Sequence, residues 1–225
     1  MIDVQKLQQQ IAPAKLLVVT KTRSVRQIRA VMESGVQYLG ENTLQEIQEK
    51  YDHQLFRELQ QKGVELHYIG HLQTNKIRKI VRLCDAIQSV DSLEKAEKVD
   101  QVAAELKKIM PIYIELNLTG EEQKHGINLS EGGVRNPRPP SGEDIDPRLQ
   151  EMISSIQKLS NIRLLGFMCI GKKDDAEKTR EVFRWCKKLA DQFGLPEISM
   201  GMSQDYKIAV EEGSTMVRLG RVLFE

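Results

Sequence analysis

The stretch Leu16-Leu17-Val18-Val19-Thr20-Lys21-Thr22-Arg23-Ser24-Val25-Arg26-Gln27-Ile28-Arg29-Ala30-Val31-Met32-Glu33-Ser34-Gly35 decides the fold. Leu16 to Thr20 is an unbroken apolar and β-branched run, which suits a strand covered on both faces, as in a parallel sheet. Ser24 then stands as an N-cap, and Val25, Ile28, Val31 and Met32 recur at helical spacing. Gly35 falls where a helix should stop. The unit is a buried strand, a polar exit and an amphipathic helix.

Further along the chain the same unit recurs. Strands are expected at Tyr38–Gly40, Leu66–Ile69, Ala86–Val90, Ile112–Leu116, Arg163–Met168, Glu197–Ser199 and Met216–Leu219. Helices are expected at 44–50, 75–83, 93–106, 152–159, 176–193 and 206–211, with Asp91 or Ser92 capping the third of these. Eight strands alternating with helices mean βαβ units, and eight such units point to a closed (β/α)8 TIM-type barrel rather than an open sheet. Residues 5–11 read as an N-terminal helix that helps close the outer ring. Residues 1–225 are expected to form one domain. The Gly- and Pro-rich stretch after Ser130 breaks the pattern, and 131–147 reads as an exposed loop insertion after strand five.

Composition narrows the function classes. Of 225 residues, 40% are hydrophobic and 29% charged, which supports a core and excludes wholesale disorder. Lys and Arg total 33 against 32 Asp and Glu, so the net charge of +1 argues against a nucleic-acid binder or a polybasic membrane-surface protein. No apolar run approaches a membrane span, and the first residues carry no signal-peptide core. Cys84, Cys169 and Cys186 are an odd set without a CxxC, which fits a reducing cytosol. No Cys/His cluster has metal-ligand spacing, and the four histidines read as loop or strand residues.

Active sites of such barrels lie at the carboxyl ends of the strands, so the polar residues just after each apolar run are the candidates. Strand one delivers Lys21. Partial desolvation there would free its amine as a nucleophile toward an aldehyde, although snorkelling to solvent is the plainer expectation on position alone. Strand two ends in Gly40-Glu41-Asn42, and strand three in Ile69-Gly70-His71-Leu72-Gln73-Thr74-Asn75-Lys76. Thr74 or Asn75 would serve equally well as a helix cap.

Strand seven runs into Met200-Gly201-Met202-Ser203-Gln204-Asp205, and strand eight follows Gly213-Ser214-Thr215 and ends Arg218-Leu219-Gly220. Loops after these two strands build phosphate sites from hydroxyls, backbone amides and helix N-termini. Ser203 offers a hydroxyl, Gly220 a close backbone approach and Arg218 a fixed charge. Singly, Ser203 could be a plain N-cap and Arg218 half of a structural ion pair. Strands eight and one adjoin in a closed barrel, so the phosphate cradle and the lysine meet. That pair is what pyridoxal 5′-phosphate requires, and a Schiff-base sugar-phosphate aldolase would require it too.

These segments, with Val18-Val19-Thr20-Lys21-Thr22, His67-Tyr68-Ile69-Gly70-His71 and Gly166-Phe167-Met168, stand in order across nearly the whole chain. They resemble the pyridoxal phosphate homeostasis proteins, which share the barrel of the alanine racemase N-terminal domain. The resemblance implies pyridoxal 5′-phosphate as cofactor, Lys21 as its Schiff-base residue, Asn42 nearby, and Ser203, Ser214, Thr215, Arg218 and Gly220 around phosphate and ring. Whether Arg218 meets the phosphate or the pyridine nitrogen stays open. Three departures stand out. Ser24 replaces a common proline, the Gly/Pro stretch is long, and the chain ends at Phe224-Glu225 where relatives usually run on.

The family is understood as carriers in vitamin B6 and amino-acid balance without established turnover, which implies no catalytic residues. A two-base racemase needs a second acid/base on the opposite face of the cofactor, supplied in the racemases by a further domain that this sequence does not show. A weak racemase remains the alternative, beside the aldolase. Implied partners are the cofactor itself and apo-enzymes that receive it. A cytoplasmic monomer or weak dimer is expected.

Overall fold

The computed structural model describes residues 3–121, 123–129 and 146–224. Its strands are β1 (Lys15–Val19), β2 (Tyr38–Glu41), β3 (Glu65–Tyr68), β4 (Ala86–Val90), β5 (Met110–Asn117), β6 (Ile127–Asn128), β7 (Ile162–Cys169), β8 (Glu197–Ser199) and β9 (Met216–Leu219). All pair in parallel in the order β4-β3-β2-β1-β9-β8-β7-β5-β6, and a β4–β5 pairing closes the ring. The molecule is therefore a closed eight-stranded (β/α)8 barrel, with β6 a two-residue strand added beside β5.

The helices are α1 (Val4–Ile11), α2 (Val25–Glu33), α3 (Leu44–Lys50), α4 (His53–Lys62), α5 (Ile77–Leu83), α6 (Leu93–Glu105), α7 (Pro147–Ile156), α8 (Ala176–Gln192), α9 (Tyr206–Glu211) and α10 (Arg221–Phe224). Their ends follow local chemistry. Ser24 caps α2 through a full capping box with Gln27, and Ser92, not Asp91, accepts from the Lys95 amide to cap α6. Each helix turns an apolar stripe inward. On α2, Ile28 and Val31 are fully buried, and they pack into the same core as Leu16, Val18 and Leu39. Burial of each such side chain contributes about 1.5–3 kcal/mol.

Three expectations about elements need correction. α4 was not foreseen, although Asp52 caps it, Leu55 and Leu59 give it a buried face, and Gly63 ends it in the left-handed region. Its first residue is His53, so not every histidine lies in a loop or strand. α7 starts at Pro147, five residues before the expected Met152, because Asp146 accepts from the Arg148 amide and proline suits the first helical turn. The loop expected over 131–147 falls outside the described residues except for this Asp-Pro start. Neither Thr74 nor Asn75 caps α5; they form a short 3-10 turn whose flanks make no side-chain cap.

Among the described residues no helix is long and apolar enough to cross a membrane.

Candidate functional site

Strand register decides which side chains meet. β1 lies between β2 and β9, with Val19 beside Gly40 and Val18 beside Leu219. The segments leaving β1, β2 and β9 therefore rise side by side from one end of the barrel. A cavity of about 530 Å³ opens there, within the roughly 300–1,000 Å³ of small-ligand sites. Lys21, Asn42, Ser203, Arg218 and Gly220 all line it.

Lys21 stands on a pinned turn. Thr20 before it is fully buried, and its hydroxyl donates to Glu41 Oε1 at 2.7 Å and meets the Tyr51 hydroxyl at 2.9 Å. Lys50 Nζ donates to the Thr20 carbonyl at 2.9 Å, to Glu41 at 3.1 Å and to Glu46 at 2.9 Å. Thr22 after it has φ 60°, a left-handed conformation that costs a β-branched residue ~1–2 kcal/mol, and its amide donates to Glu46 at 3.2 Å. Burial raises the pKa of Glu41, and its hydrogen bond to Glu46 adds to the rise. Burial also works against charge on Glu46, but hydrogen bonds with Glu41 and Lys50 outweigh it and lower its pKa. Both carboxylates thus share the Lys50 ammonium, with the more buried Glu41 the harder of the two to ionise.

The Lys21 side chain itself is exposed. That agrees with snorkelling to solvent, the plainer expectation from its position, and partial desolvation is not what this site provides. Position and freedom of the amine carry its candidacy.

Asn42 is shaped by contact with Gly70: a Cβ built on Gly70 would lie 1.7 Å from the Asn42 carbonyl oxygen. Asn42 Oδ1 is buried without a partner among the described residues. Ser203 is half-buried, and its hydroxyl likewise has no partner there. It does not cap the next helix, because α9 starts three residues later with Asp205 at its N-cap. Asp205 instead accepts from the Met202 amide at 2.5 Å, folding the Met202–Asp205 turn around Ser203. Burial raises the pKa of Asp205, against the pull of that amide. Gly220 opens the neighbouring wall beside β1, where a Cβ would lie 3.2 Å from the Val19 carbonyl oxygen.

Arg218 forms the floor and is 5% exposed. Nη1 donates to the Ser199 carbonyl at 2.6 Å and its hydroxyl at 2.8 Å, and Nη2 donates to the Cys169 carbonyl at 2.9 Å. It is thus clamped by backbone oxygens of β7 and β8 and makes no close ion pair among the described residues. Burial lowers its pKa, which Cys169, Asp205 and Glu115 partly oppose. Burial pushes Glu115 up to about 7, opposed by Arg218.

Two expected cofactor contacts lie elsewhere. Ser214 is buried, its hydroxyl 2.8 Å from the Met200 carbonyl and 2.9 Å from that of Met216. Thr215 donates to Glu197 at 2.8 Å and accepts from the Ile198 amide at 2.8 Å. Both precede β9 and sit at its amino end, whereas the cavity is built from residues at carboxyl ends. Thr22, Arg23, Ile69, Ile170, Gln204, Asp205 and Arg221 line the cavity without having been singled out. Most directly follow a strand or flank a named residue, which was the available signal.

The lining suits pyridoxal 5′-phosphate on its own terms. It combines an exposed amine, a glycine wall, a free hydroxyl, an orphaned buried amide oxygen and a fixed cation at the floor.

Residues 3–134 match the model of the alanine racemase N-terminal domain family. The pyridoxal phosphate homeostasis protein of Aquifex aeolicus is 33% identical over 94% of this chain and 86% of its own. That of Escherichia coli K12 is 33% identical over 93% of this chain and 84% of its own. The structure of PipY from Synechococcus elongatus PCC7942, with PLP bound, superposes with TM-score 0.80 at 29% identity, covering 99% of this chain and 98% of that one. With the barrel, the cavity and these relatives in agreement, the chain belongs to the pyridoxal phosphate homeostasis protein family, built on the alanine racemase N-terminal-domain barrel.

Proposed function

We propose that this chain binds pyridoxal 5′-phosphate and serves vitamin B6 and amino-acid homeostasis by storing it or passing it on. The observation that carries this is the opening of Lys21, Ser203, Gly220 and Arg218 on one cavity across adjoining strands. When bound, the cofactor supplies an aldehyde that the Lys21 amine holds as a Schiff base. Ser203 and the Gly220–Arg221 corner hold the phosphate, using the hydroxyl and the first amides of α10, which have no acceptor within the helix. Arg218 stands two residues deeper on the same strand face as Gly220, about 7 Å at strand spacing. That depth favours the ring end of the ligand over the phosphate for Arg218. Asn42 Oδ1 takes a hydrogen bond from the ligand or its water. The exposed lysine and open mouth suit exchange with apo-enzymes, with the protein as a cytoplasmic monomer or weak dimer of one domain.

The test is incubation with pyridoxal phosphate, borohydride reduction and peptide mass mapping. The reading requires a visible absorbance band and an adduct on Lys21, both lost in Lys21→Ala. A colourless protein without an adduct at residue 21 refutes it. The match to an alanine racemase domain motivates one further assay, α-hydrogen exchange of alanine in deuterated buffer. Carriage without turnover requires exchange no faster than free cofactor gives.

A further inference from the structure

A chain of buried side chains runs from the cavity floor through the barrel to its opposite rim. Arg218 Nη1 is 2.8 Å from Ser199 Oγ, and Ser199 Oγ is 2.7 Å from Gln88 Oε1. Gln88 Nε2 is 2.8 Å from His67 Nδ1, and His67 Nε2 is 3.1 Å from Glu65 Oε2. Gln88 and Ser199 are fully buried and His67 nearly so, whereas Glu65 at the amino end of β3 is half-exposed. Such a file of buried polar side chains is expensive, because each member must be satisfied.

The donor sense of every link follows from chemistry. Arg218 can only donate, so Ser199 Oγ accepts from it and donates its own proton to the Gln88 carbonyl oxygen. The Gln88 amide then donates to His67 Nδ1, with Met216 Sδ at 3.2 Å as its second contact. His67 must therefore be neutral at Nδ1 and carry its proton on Nε2, where it donates to the Glu65 carboxylate. All four donors point the same way, from a cation in the cavity to an anion at the far rim.

We propose that Ser199, Gln88 and His67 are positioning residues that couple Glu65 to Arg218, fixing the guanidinium's orientation and moderating the positive potential felt by the ring end of the bound ligand. This rests on the cofactor reading above. None of the three lines the cavity, so each acts only through Arg218. Other groups face the two ends of the file. Around Arg218 these are Glu115 on β5, Asp205 before α9, and the thiols of Cys169 on β7 and Cys186 on α8. Around His67 and Glu65 they are Tyr38 on β2, Lys15 on β1 and Arg163 on β7. None of these groups bridges Arg218 to Glu65, and the Ser199-Gln88-His67 file does.

The experiment uses the full chain loaded with pyridoxal phosphate. The readouts are the pH midpoint of the bound cofactor's visible band and its dissociation constant, in wild type, Gln88→Met, Glu65→Gln and the double variant. A more positive potential at the ring disfavours protonation, so Glu65→Gln and Gln88→Met must each lower the midpoint. The expected shift is about half a pH unit, roughly a threefold change in the equilibrium. Gln88→Met also weakens binding about tenfold. Glu65→Gln must add nothing once Gln88 is Met, because the file is already cut; a structural role would give additive effects. Glu65 is on the rim, so its variant reports even if Gln88→Met misfolds. Unchanged midpoints with a normal Lys21 adduct overturn this proposal alone, and absence of that adduct in wild type overturns the cofactor reading beneath it.

Discussion

Gly70→Ala isolates the steric logic of the site. A Cβ at this position would lie 1.7 Å from the Asn42 carbonyl oxygen, 2.5 Å from its carbonyl carbon and 2.9 Å from its Cα. All three are backbone atoms, so no side chain can rotate away. Ordinary contact begins near 3.4 Å, and the two segments must part by about 1.7 Å. Overpacking of this kind costs about 1–3 kcal/mol. At about 2–4 °C per kcal/mol for a chain of this size, Tm should fall by roughly 2–12 °C. Asn42 lines the cavity, so the displacement moves a ligand contact as well, and pyridoxal phosphate should bind at least about tenfold more weakly, a loss of ~1.4 kcal/mol. Gly166→Ala is the control, because its Cβ would lie 1.6 Å from the Glu197 carbonyl oxygen, between β7 and β8 and away from the cavity. Calorimetry and a spectrophotometric titration should show both variants losing stability and only Gly70→Ala losing affinity. Affinity within twofold of wild type in a destabilised Gly70→Ala would show that Asn42 does not shape the site.

Three further outcomes follow from buried groups and backbone strain. Ser214→Ala removes the buried hydroxyl that reaches the Met200 carbonyl without touching the cavity, so chemical denaturation should show a loss of about 1–3 kcal/mol at unchanged cofactor affinity. Glu115 is pushed from 4.5 up to about 7, which at ~1.4 kcal/mol per pH unit is worth at most about 3.5 kcal/mol. An acid held above its unfolded value contributes stability below pH 4.5 and loses it as pH rises through 7, so denaturation of Glu115→Gln should gain on wild type between those limits. Thr22→Asn suits φ 60° better than threonine and should raise Tm by about 1–4 °C in differential scanning calorimetry.

The barrel was legible because its strands carry the signal of double burial. Leu16–Val19 and Ala86–Val90 are apolar runs that a parallel closed sheet demands, and their caps and glycine stops marked the units. α4 was missed because Leu55 and Leu59 give a narrow stripe in a polar segment, too weak to separate from a long connection. At the site, Lys21, Asn42, Ser203, Arg218 and Gly220 line one cavity, whereas Ser214 and Thr215, before β9, lie outside its lining. Ser214 and Thr215 lie near Arg218 in sequence, but a strand carries its two ends to opposite rims. Exposure of Lys21 was legible, because a long charged side chain just past a strand end reaches solvent. The file from Arg218 to Glu65 had no sequence signature, because its members come from four strands and touch only when the ring closes.

The turn that carries Lys21 separates what is rigid from what moves. Its peptide is anchored on one side by Thr20 and on the other by the Thr22 amide on Glu46. Only the four-carbon stem swings. Capturing a carbonyl there freezes one side chain's rotamers, ~2 kcal/mol, and orders no backbone. Release repays the same small entropy, so on the function proposed above capture and discharge of the vitamer run close to balance.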